Sequence, residues 1–344
     1  MYLQALFFKF KYFVRCNIPE SIWQFFASLI SSFRSKQFSE SHKTYGLLNP
    51  DIIFYIIRRR PPAWGFFSNF NFVLQGILYA EEHNFIPIVD MQNYWVAELS
   101  TTKKINGSFN AWCYFFEQIS EYSLDEVYRS KNVILSNAGS ILSSEHWFSD
   151  RKLFFAAKPE CLEIISKITN KYIKVNKITL DHFKNMKKEL NFEPNKTIGV
   201  FIRGTSYIFN NGVQAPVPKL DKIILAIRKI AKETSIDNLY ISTEDYKIYV
   251  TLCNEFSDKY IIPSIRYEKG LTIKEWEDGQ KPILDGGILV GYELTLKYLE
   301  EMLLLRECQH FITTLSNASV FVLSERRKSH KQSNLILQDG IINL

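Results

Sequence analysis

The feature that most constrains this chain is an alternation of short β-branched runs with helical segments, which starts at residue 51. The alternation is typical of parallel sheets with crossover helices. The runs IIFYII (52–57) and FIPIVD (85–90) predict strands, with a helix over residues 70–83 between them, and NVILSN (132–137) predicts a third strand. These segments form a βαβ unit followed by a further strand.

The second half of the chain repeats the same order after a lysine-rich helical stretch (159–190) and the polar turn FEPNK. Apolar residues recur there at three- and four-residue spacing, which predicts amphipathic helices. The predicted strands are 197–204, 238–245, 260–265 and 310–316, and the predicted helices are 219–234, 246–259, 291–308 and 317–327. The sequence therefore predicts two doubly wound α/β halves.

Length and composition agree with a folded protein of two domains. The chain has 344 residues, 46% of them hydrophobic and 23% charged, which is the balance of a globular protein. We expect one domain at residues 46–192 and a second at 193–344, after an extension at 1–45. The net charge of +6 is mild, so an anionic small ligand fits it as well as a nucleic acid does.

The extension at residues 1–45 is rich in aromatic and basic residues. Amphipathic helices of this composition either lie at a membrane surface or pack on a protein core, and the sequence pattern alone leaves both possibilities open. No apolar run approaches the roughly 18–20 residues that a membrane-spanning helix needs. The sequence also lacks the pattern of a cleavable signal peptide.

The sequence lacks the residues that several kinds of catalytic and structural site require. The five cysteines are scattered, which disfavours a disulfide framework and a zinc site. No D-x-D, G-x-S-x-G or H-E-x-x-H sequence occurs, so we expect no metal site and neither a serine-hydrolase elbow nor a zinc-protease helix.

Ligands of open α/β sheets bind beyond the carboxyl ends of the strands, so the residues that follow each strand are the candidates. Arg203 ends an apolar strand, where a guanidinium requires an anionic partner. That partner is a ligand phosphate or an internal carboxylate, or the guanidinium bonds to internal carbonyls instead. Gly204 and Thr205 would let a phosphate approach the backbone.

Two other strand ends carry hydroxyl and carboxylate groups. Thr243, Glu244 and Asp245 follow one strand, where they can hold a ligand or cap the next helix. Around the last predicted strand, the hydroxyls and helix amides of residues 314–318 would form a phosphate cradle without metal.

Glu300 and Glu301 lie in the helix before that last strand. At least one of them should face inward, where it either accepts the N–H donors of a guanine or pairs with Arg306 or Lys297. In the first half, the turn at residues 58–71 contains Gly65. We expect Ser68 or Asn69 to cap the helix that follows, or the free amides of the turn to hold an oxyanion or a sugar hydroxyl.

The order of GVFIRGTSY, LYISTED and LEEMLLLRECQHFITTLSNAS resembles the three motif regions of the GDP-fucose-dependent fucosyltransferases. This superfamily contains the α1,6-fucosyltransferases, the Nod-factor fucosyltransferases and the protein O-fucosyltransferases. WGFFSNFN is similar in position to their glycine-rich turn, and the resemblance spans residues 52–323.

The resemblance implies a GT-B fold, with two Rossmann-like doubly wound domains facing a cleft: an acceptor domain at residues 46–192 and a nucleotide-binding domain at 193–344. It also implies inverting transfer without metal or another cofactor. By position, Arg203 is implied to hold the diphosphate and Glu301 to meet guanine. The other implied donor-side residues are Gly204, Thr205, Thr243, Glu244, Thr314, Ser316, Asn317 and Ala318, and the implied acceptor-side residues are Gly65, Phe66, Ser68 and Asn69.

The chain departs from the family pattern around Arg203. Phe201 stands where the family has His, Ser206 stands where it has Asp, and no acidic residue lies between Arg203 and Asp221. A catalytic base therefore has to come from elsewhere, and Asp90, Asp245 and Glu98 are the candidates.

We accordingly expect a fucosyltransferase of bacterial surface-polysaccharide synthesis that uses GDP-fucose and a glycan acceptor, either free or lipid-linked. Its expected location is the cytoplasm or the inner face of the cytoplasmic membrane, with no nucleic-acid partner. A transferase for a UDP- or CMP-sugar and a non-catalytic protein that binds a sugar or a membrane surface are the alternatives.

Overall fold

The computed structural model describes residues 38–60, 65–94, 96, 103–139, 159–203, 218–243, 245–263, 288–327, 332–336 and 341–344. Nearly all of the predicted extension at 1–45 lies outside these residues. Both interpretations of that extension, a membrane-surface helix and a helix packed on the core, therefore stay predictions.

The first sheet has four strands: β1 (Ser41–Lys43), β2 (Leu48–Ile57), β3 (Ile86–Val89) and β4 (Ser130–Leu135). Their order is β1-β4-β2-β3. β2 runs parallel to both β3 and β4, whereas β1 is an antiparallel edge strand. The three strands predicted in this half are confirmed, and the short β1 was not predicted.

Helix α1 (Phe66–Glu82) connects β2 to β3 and buries most of its length. It begins four residues earlier than predicted, directly after Gly65, whose carbonyl accepts the amides of Ser68 at 2.9 Å and Asn69 at 3.1 Å. The prediction that Ser68 or Asn69 caps this helix is wrong, because both residues lie inside its first turn and no side chain caps it. The one-turn helix α2 (Leu124–Val127) precedes β4.

The second sheet has six strands: β5 (Thr197–Ile202), β6 (Asn238–Thr243), β7 (Tyr260–Ile262), β8 (His310–Thr314), β9 (Ser333–Ile336) and β10 (Ile341–Asn343). Their order is β10-β9-β8-β5-β6-β7, and only the β9–β10 pairing is antiparallel. This sheet is therefore the parallel one that the second half predicted, extended by a hairpin that the sequence analysis missed.

Six longer helices complete the described fold: α3 (Pro159–Tyr172), α4 (Lys177–Glu189), α5 (Leu220–Thr234), α6 (Tyr246–Glu255), α7 (Ile288–Glu307) and α8 (Asn317–Arg327). The helical stretch predicted at 159–190 is two helices. It breaks where Val175 pairs with Phe116 and where the Asn176 side chain caps α4 by accepting the amide of Thr179 at 2.9 Å.

Helix α7 packs closely against β5 because residue 199 is glycine. A Cβ at Gly199 would lie 2.8 Å from both the Cys308 sulfur and the Leu305 side chain. All six residues of β5 are buried, and burying a large apolar side chain stabilises the fold by roughly 1.5–3 kcal/mol. β5 is therefore the centre of the second half.

One apolar cluster continues from the first half into the second. Phe67 and Phe70 of α1 lie 5.2 Å, between ring centroids, from Phe321 of α8. The described residues thus form a mixed α/β fold with two mainly parallel sheets. The division into two domains facing a cleft stays a prediction. Within the described residues, no helix combines the length and apolarity that crossing a membrane requires.

Candidate functional site

The order in which the chain adds strands to the second sheet reverses between β5 and β8. From β5 the chain continues to β6 and β7 on one side of the sheet, and later returns to β8 on the other side. Crevices for ligands in open α/β sheets form at such a switch point, beyond the carboxyl ends of the two strands. The residues that follow β5 and β8 therefore define the candidate site.

Arg203 and Thr314 meet at this switch point. The backbone N–H of Arg203 donates to Thr314 Oγ1 at 3.0 Å. Arg203 is half-buried directly after a fully buried strand, and Thr314 is buried. The chain thus places Arg203, whose side chain is permanently charged, at the edge of the sheet beyond which ligands of open α/β sheets bind.

Helix α8 begins beside this pair. Ser316 and Ser319 bond reciprocally, because Ser319 N–H donates to Ser316 Oγ at 3.1 Å and Ser316 N–H donates to Ser319 Oγ at 2.7 Å. The amides of Asn317 and Ala318 belong to the first turn, where no intrahelical acceptor exists. The helix dipole and these amides favour an anion at this end of α8, which begins three residues after Thr314. The donor-side role of Arg203, Ser316, Asn317 and Ala318 stays a prediction.

Glu301 lies on the inner face of α7 and is almost fully buried. It accepts a hydrogen bond from Ser242 Oγ at 2.9 Å and another from Tyr240 OH at 3.5 Å. Arg306, one of the two partners considered from sequence, pairs with Glu307 and Glu325 at 3.7 and 3.5 Å. The inward-facing carboxylate is confirmed, and its contact with guanine stays a prediction.

Glu300 is buried as well. Its pKa is raised to about 7, chiefly by burial, with a smaller lowering by Lys297 and a smaller raising by Glu189. Both carboxylates of the pair are therefore inside the fold, but only Glu301 bonds with the end of β6.

Thr243 and Asp245 lie at the carboxyl end of β6, where their side chains bond with the backbone. Asp245 Oδ1 accepts the amides of Lys247 at 2.9 Å and Ile248 at 3.2 Å, and its own N–H donates to Thr243 Oγ1 at 3.2 Å. The capping role predicted for Asp245 is confirmed, while its catalytic role stays a prediction. Glu244, Gly204 and Thr205 lie outside the described residues.

Asp90 does not fit the role of catalytic base. Its Oδ1 accepts the amides of Gln92 at 3.0 Å and Asn93 at 2.9 Å, and its Oδ2 accepts the Asn93 side chain at 2.9 Å and Tyr128 OH at 2.6 Å. The residue is fully buried. Four donors therefore occupy the carboxylate, which anchors the turn after β3, and Glu98, another candidate base, lies outside the described residues.

On the predicted acceptor side, Asn69 is buried and its Oδ1 accepts Arg59 Nε at 3.1 Å. A narrow apolar hollow beside Asn69 is lined by aromatic side chains that include Phe66 and Trp112. Gly65 and Ser68 stand at the start of the same helix. The hollow has a volume of about 10 Å³, which is room for about one water molecule and not for a sugar ring, so the acceptor role of these residues stays a prediction.

The sequence analysis missed Arg58 as the counterpart of Arg203 in the first sheet. The N–H of Arg58 donates to Ser136 Oγ at 3.2 Å, at the switch point between β2 and β4. Its guanidinium donates to the carbonyls of Ser136 at 2.9 Å and Ser39 at 3.0 Å. Three consecutive arginines after a buried strand were the available signal, and here Arg58 ties the strand ends together.

A second residue missed from sequence is Asn71 on α1. Its Nδ2 donates to Asn317 Oδ1 at 2.7 Å, which joins α1 of the first half to the start of α8 in the second. Nothing in the local sequence pattern predicts a contact across 246 positions.

No group of three His, Cys, Asp or Glu side chains able to hold a metal ion occurs in the part of the chain that the structure describes.

Comparison with solved structures gives a fold match. The fucosyltransferase NodZ from Bradyrhizobium superposes with a TM-score of 0.50 at 15% sequence identity, over 86% of this chain and 99% of that chain. A complex of Arabidopsis thaliana FUT1 with GDP gives a TM-score of 0.43 at 9% identity, over 83% of this chain and 70% of that one. The apo form of POFUT1 gives 0.37 at 11% identity, over 84% and 76%.

No family model matches the chain, and no curated protein matches its sequence. The NodZ likeness is at low identity, so it establishes the fold. That fold agrees with the one that the family resemblance implies.

Proposed function

We propose that this chain is a glycosyltransferase that moves fucose from GDP-fucose to a glycan hydroxyl. The observation that carries the proposal is the switch point of the second sheet, where the backbone N–H of Arg203 donates to Thr314, three residues before α8 begins. The fold shared with the fucosyltransferase NodZ supports the same donor class.

The reaction we propose inverts the anomeric carbon. The acceptor hydroxyl attacks from the face opposite the diphosphate, the bond from the anomeric carbon to the diphosphate oxygen breaks, and GDP leaves with the electron pair. Negative charge develops on that oxygen, so the guanidinium of Arg203 and the amides of Asn317 and Ala318 stabilise the transition state.

No metal ion is needed in this scheme, because the arginine and the helix N-terminus supply the positive potential. Asp245 is the described candidate for the base that accepts the acceptor proton, since its cap uses Oδ1 and leaves Oδ2 for a proton. We assign guanine recognition to Glu301, with Thr243 at the end of the neighbouring strand.

We place the acceptor on the first half, at Gly65, Phe66, Ser68 and Asn69, and the donor on the second half, in the GT-B arrangement of residues 46–192 and 193–344. The proposed setting is bacterial surface-polysaccharide synthesis at the cytoplasmic face of the membrane, with residues 1–45 as the membrane contact. Deleting residues 1–37 and measuring sedimentation with anionic vesicles tests that contact, and unchanged sedimentation would remove it.

The decisive assay measures GDP release from GDP-fucose, with and without a glycan mixture, in the presence of EDTA. Wild-type protein should release GDP, and the Arg203→Ala variant should be roughly 100- to 1,000-fold slower because one transition-state contact is lost. Arg228→Ala, at an exposed arginine paired with Glu255, is the matched control. Release only from a UDP- or CMP-sugar would reassign the donor, and binding without release would favour the non-catalytic alternative.

A further inference from the structure

The side chain of Asn71 has one atom whose bonding the fold itself does not explain. Asn71 is 4% exposed, and its Nδ2 donates to Asn317 Oδ1. Its Oδ1 is buried and has no hydrogen-bond partner among the residues that the structure describes. Its flanking positions on α1 are the buried Phe70 and Phe72.

A buried carbonyl oxygen without a donor is costly, and native folds rarely keep one. An apolar residue would fill this position in the core without that penalty. The amide therefore indicates a partner that arrives from outside the described chain, and that partner must carry an O–H or N–H group.

The position of Asn71 indicates which ligand brings the donor. Asn317, its partner, is the first residue of α8, an 11-residue helix whose N-terminus is the proposed diphosphate position. The buried acceptor and the helix N-terminus are separate observations, and they come from different halves of the chain. In a nucleotide sugar, sugar rings with free hydroxyls flank the diphosphate on both sides.

We propose that Asn71 is a ligand-binding residue of the donor site, whose Oδ1 accepts a hydrogen bond from a sugar hydroxyl next to the bound diphosphate. This inference rests on the proposed function. The amide suits both tasks, because Nδ2 holds Asn317 while Oδ1 reads the hydroxyl. A carboxylate at this position would instead repel the diphosphate.

The experiment compares Asn71→Leu with wild type by calorimetric titration of pyrophosphate, GDP and GDP-fucose. Asn334→Leu is the matched control, since Asn334 also donates its Nδ2 to an asparagine Oδ1 at 2.7 Å, at the β9–β10 pair. We expect Asn71→Leu to unfold at the wild-type temperature or above it, and to bind pyrophosphate as wild type does. It should bind GDP-fucose about threefold to tenfold more weakly, as the loss of one hydrogen bond predicts.

The GDP titration distinguishes the two sources of the hydroxyl. A loss shared by GDP and GDP-fucose assigns the contact to the ribose, and a loss confined to GDP-fucose assigns it to the transferred sugar. If Asn71→Leu does not fold, Asn71→Ala provides the same comparison with a smaller change.

Two results would overturn the inference. Unchanged affinity for both nucleotides would mean that Asn71 Oδ1 bonds with a buried water, and an equal loss for all three ligands would mean that Asn71 only positions Asn317. Wild-type protein that binds none of the three would instead overturn the proposed function.

Discussion

The backbone N–H of Arg203 lies 3.0 Å from the Oγ1 of Thr314, its acceptor, and this bond joins the carboxyl ends of β5 and β8 at the switch point of the second sheet. The two strands pair in parallel up to Phe201 and Thr313. Beyond that pair, a side-chain hydroxyl replaces the next backbone acceptor. The position of the Arg203 backbone therefore depends on the side chain at position 314.

Thr314→Val should lower nucleotide affinity by severalfold, because it removes the oxygen that holds Arg203 and preserves the side-chain shape. Thr313→Val is the matched control, since Thr313 Oγ1 donates to the Thr314 carbonyl at 3.0 Å within the same strand. Each variant should lose about 1 kcal/mol of unfolding free energy. Titration with GDP and urea denaturation measure the two effects, and equal GDP affinity in both variants would contradict this account.

Glu301→Gln should weaken GDP binding about tenfold or more, with UDP binding changed less than twofold. The amide keeps the hydrogen bond from Ser242 but loses the charge that strengthens bonds from the guanine edge. Ser242→Ala, which leaves the carboxylate in place, is the comparison. Parallel losses for GDP and UDP would indicate that Glu301 is structural.

Glu300 should make the fold less stable as the pH rises. Its pKa is raised from 4.5 to about 7, so between these values the folded state binds a proton that the unfolded state has released. Stability therefore falls from pH 4.5 to pH 7, and the penalty is complete above pH 7. Glu300→Gln should gain about 2–3 kcal/mol at pH 8 and nothing at pH 4.

Urea denaturation at both pH values tests the Glu300 prediction. Glu293→Gln, at an exposed position on the same helix, is the control. A gain for Glu300→Gln that is equal at pH 4 and pH 8 would show that the effect does not come from titration of this carboxyl group.

Substitution of Arg326 should lower the free energy of unfolding more than substitution of Arg203, Arg228 or Arg327. Arg326 is fully buried and donates to Ser333 Oγ at 2.9 Å and to the carbonyls of Arg306 at 3.2 Å and Gln309 at 3.1 Å. Burial lowers its pKa to about 10, so the guanidinium stays charged at neutral pH. Arg326→Leu should lose about 3–5 kcal/mol, because several buried carbonyls lose their donor.

The neighbouring Arg327 is the control for that substitution. Its side chain is 36% exposed and pairs with Glu163 at 2.8 Å, so Arg327→Leu should lose less than about 1 kcal/mol. Similar losses for the two variants in urea denaturation would contradict the role assigned to Arg326.

The regular elements were predictable where local pattern decides them. Helix α5 (Leu220–Thr234) and helix α8 (Asn317–Arg327) lie within a residue of their predictions, because each has a clear apolar period or follows a buried strand directly. The break between α3 and α4 was not predictable, since it depends on the pairing of Val175 with the distant Phe116. The edge strands β1 and β10 have three residues each, too few for a periodicity.

The residues of the candidate site also fall into those that the sequence pattern predicted and those that it did not. Arg203 was predictable because a charge after an apolar strand stands out in the sequence. The hydrogen bonding that occupies the Asp90 carboxylate was not predictable, because one of its donors, Tyr128, is 38 positions away. Asn71 reaches its position only through the packing of α1 on α8, which no local pattern contains.

The most direct test of the central claim is calorimetric titration of GDP into wild-type protein and into Arg203→Ala, both in EDTA. We expect one GDP per wild-type chain, with affinity at least about tenfold weaker in Arg203→Ala, since a charge-assisted contact to phosphate is lost. Equal GDP affinity in the two proteins, or no GDP binding by the wild-type chain, would contradict the claim that this guanidinium holds a nucleotide diphosphate.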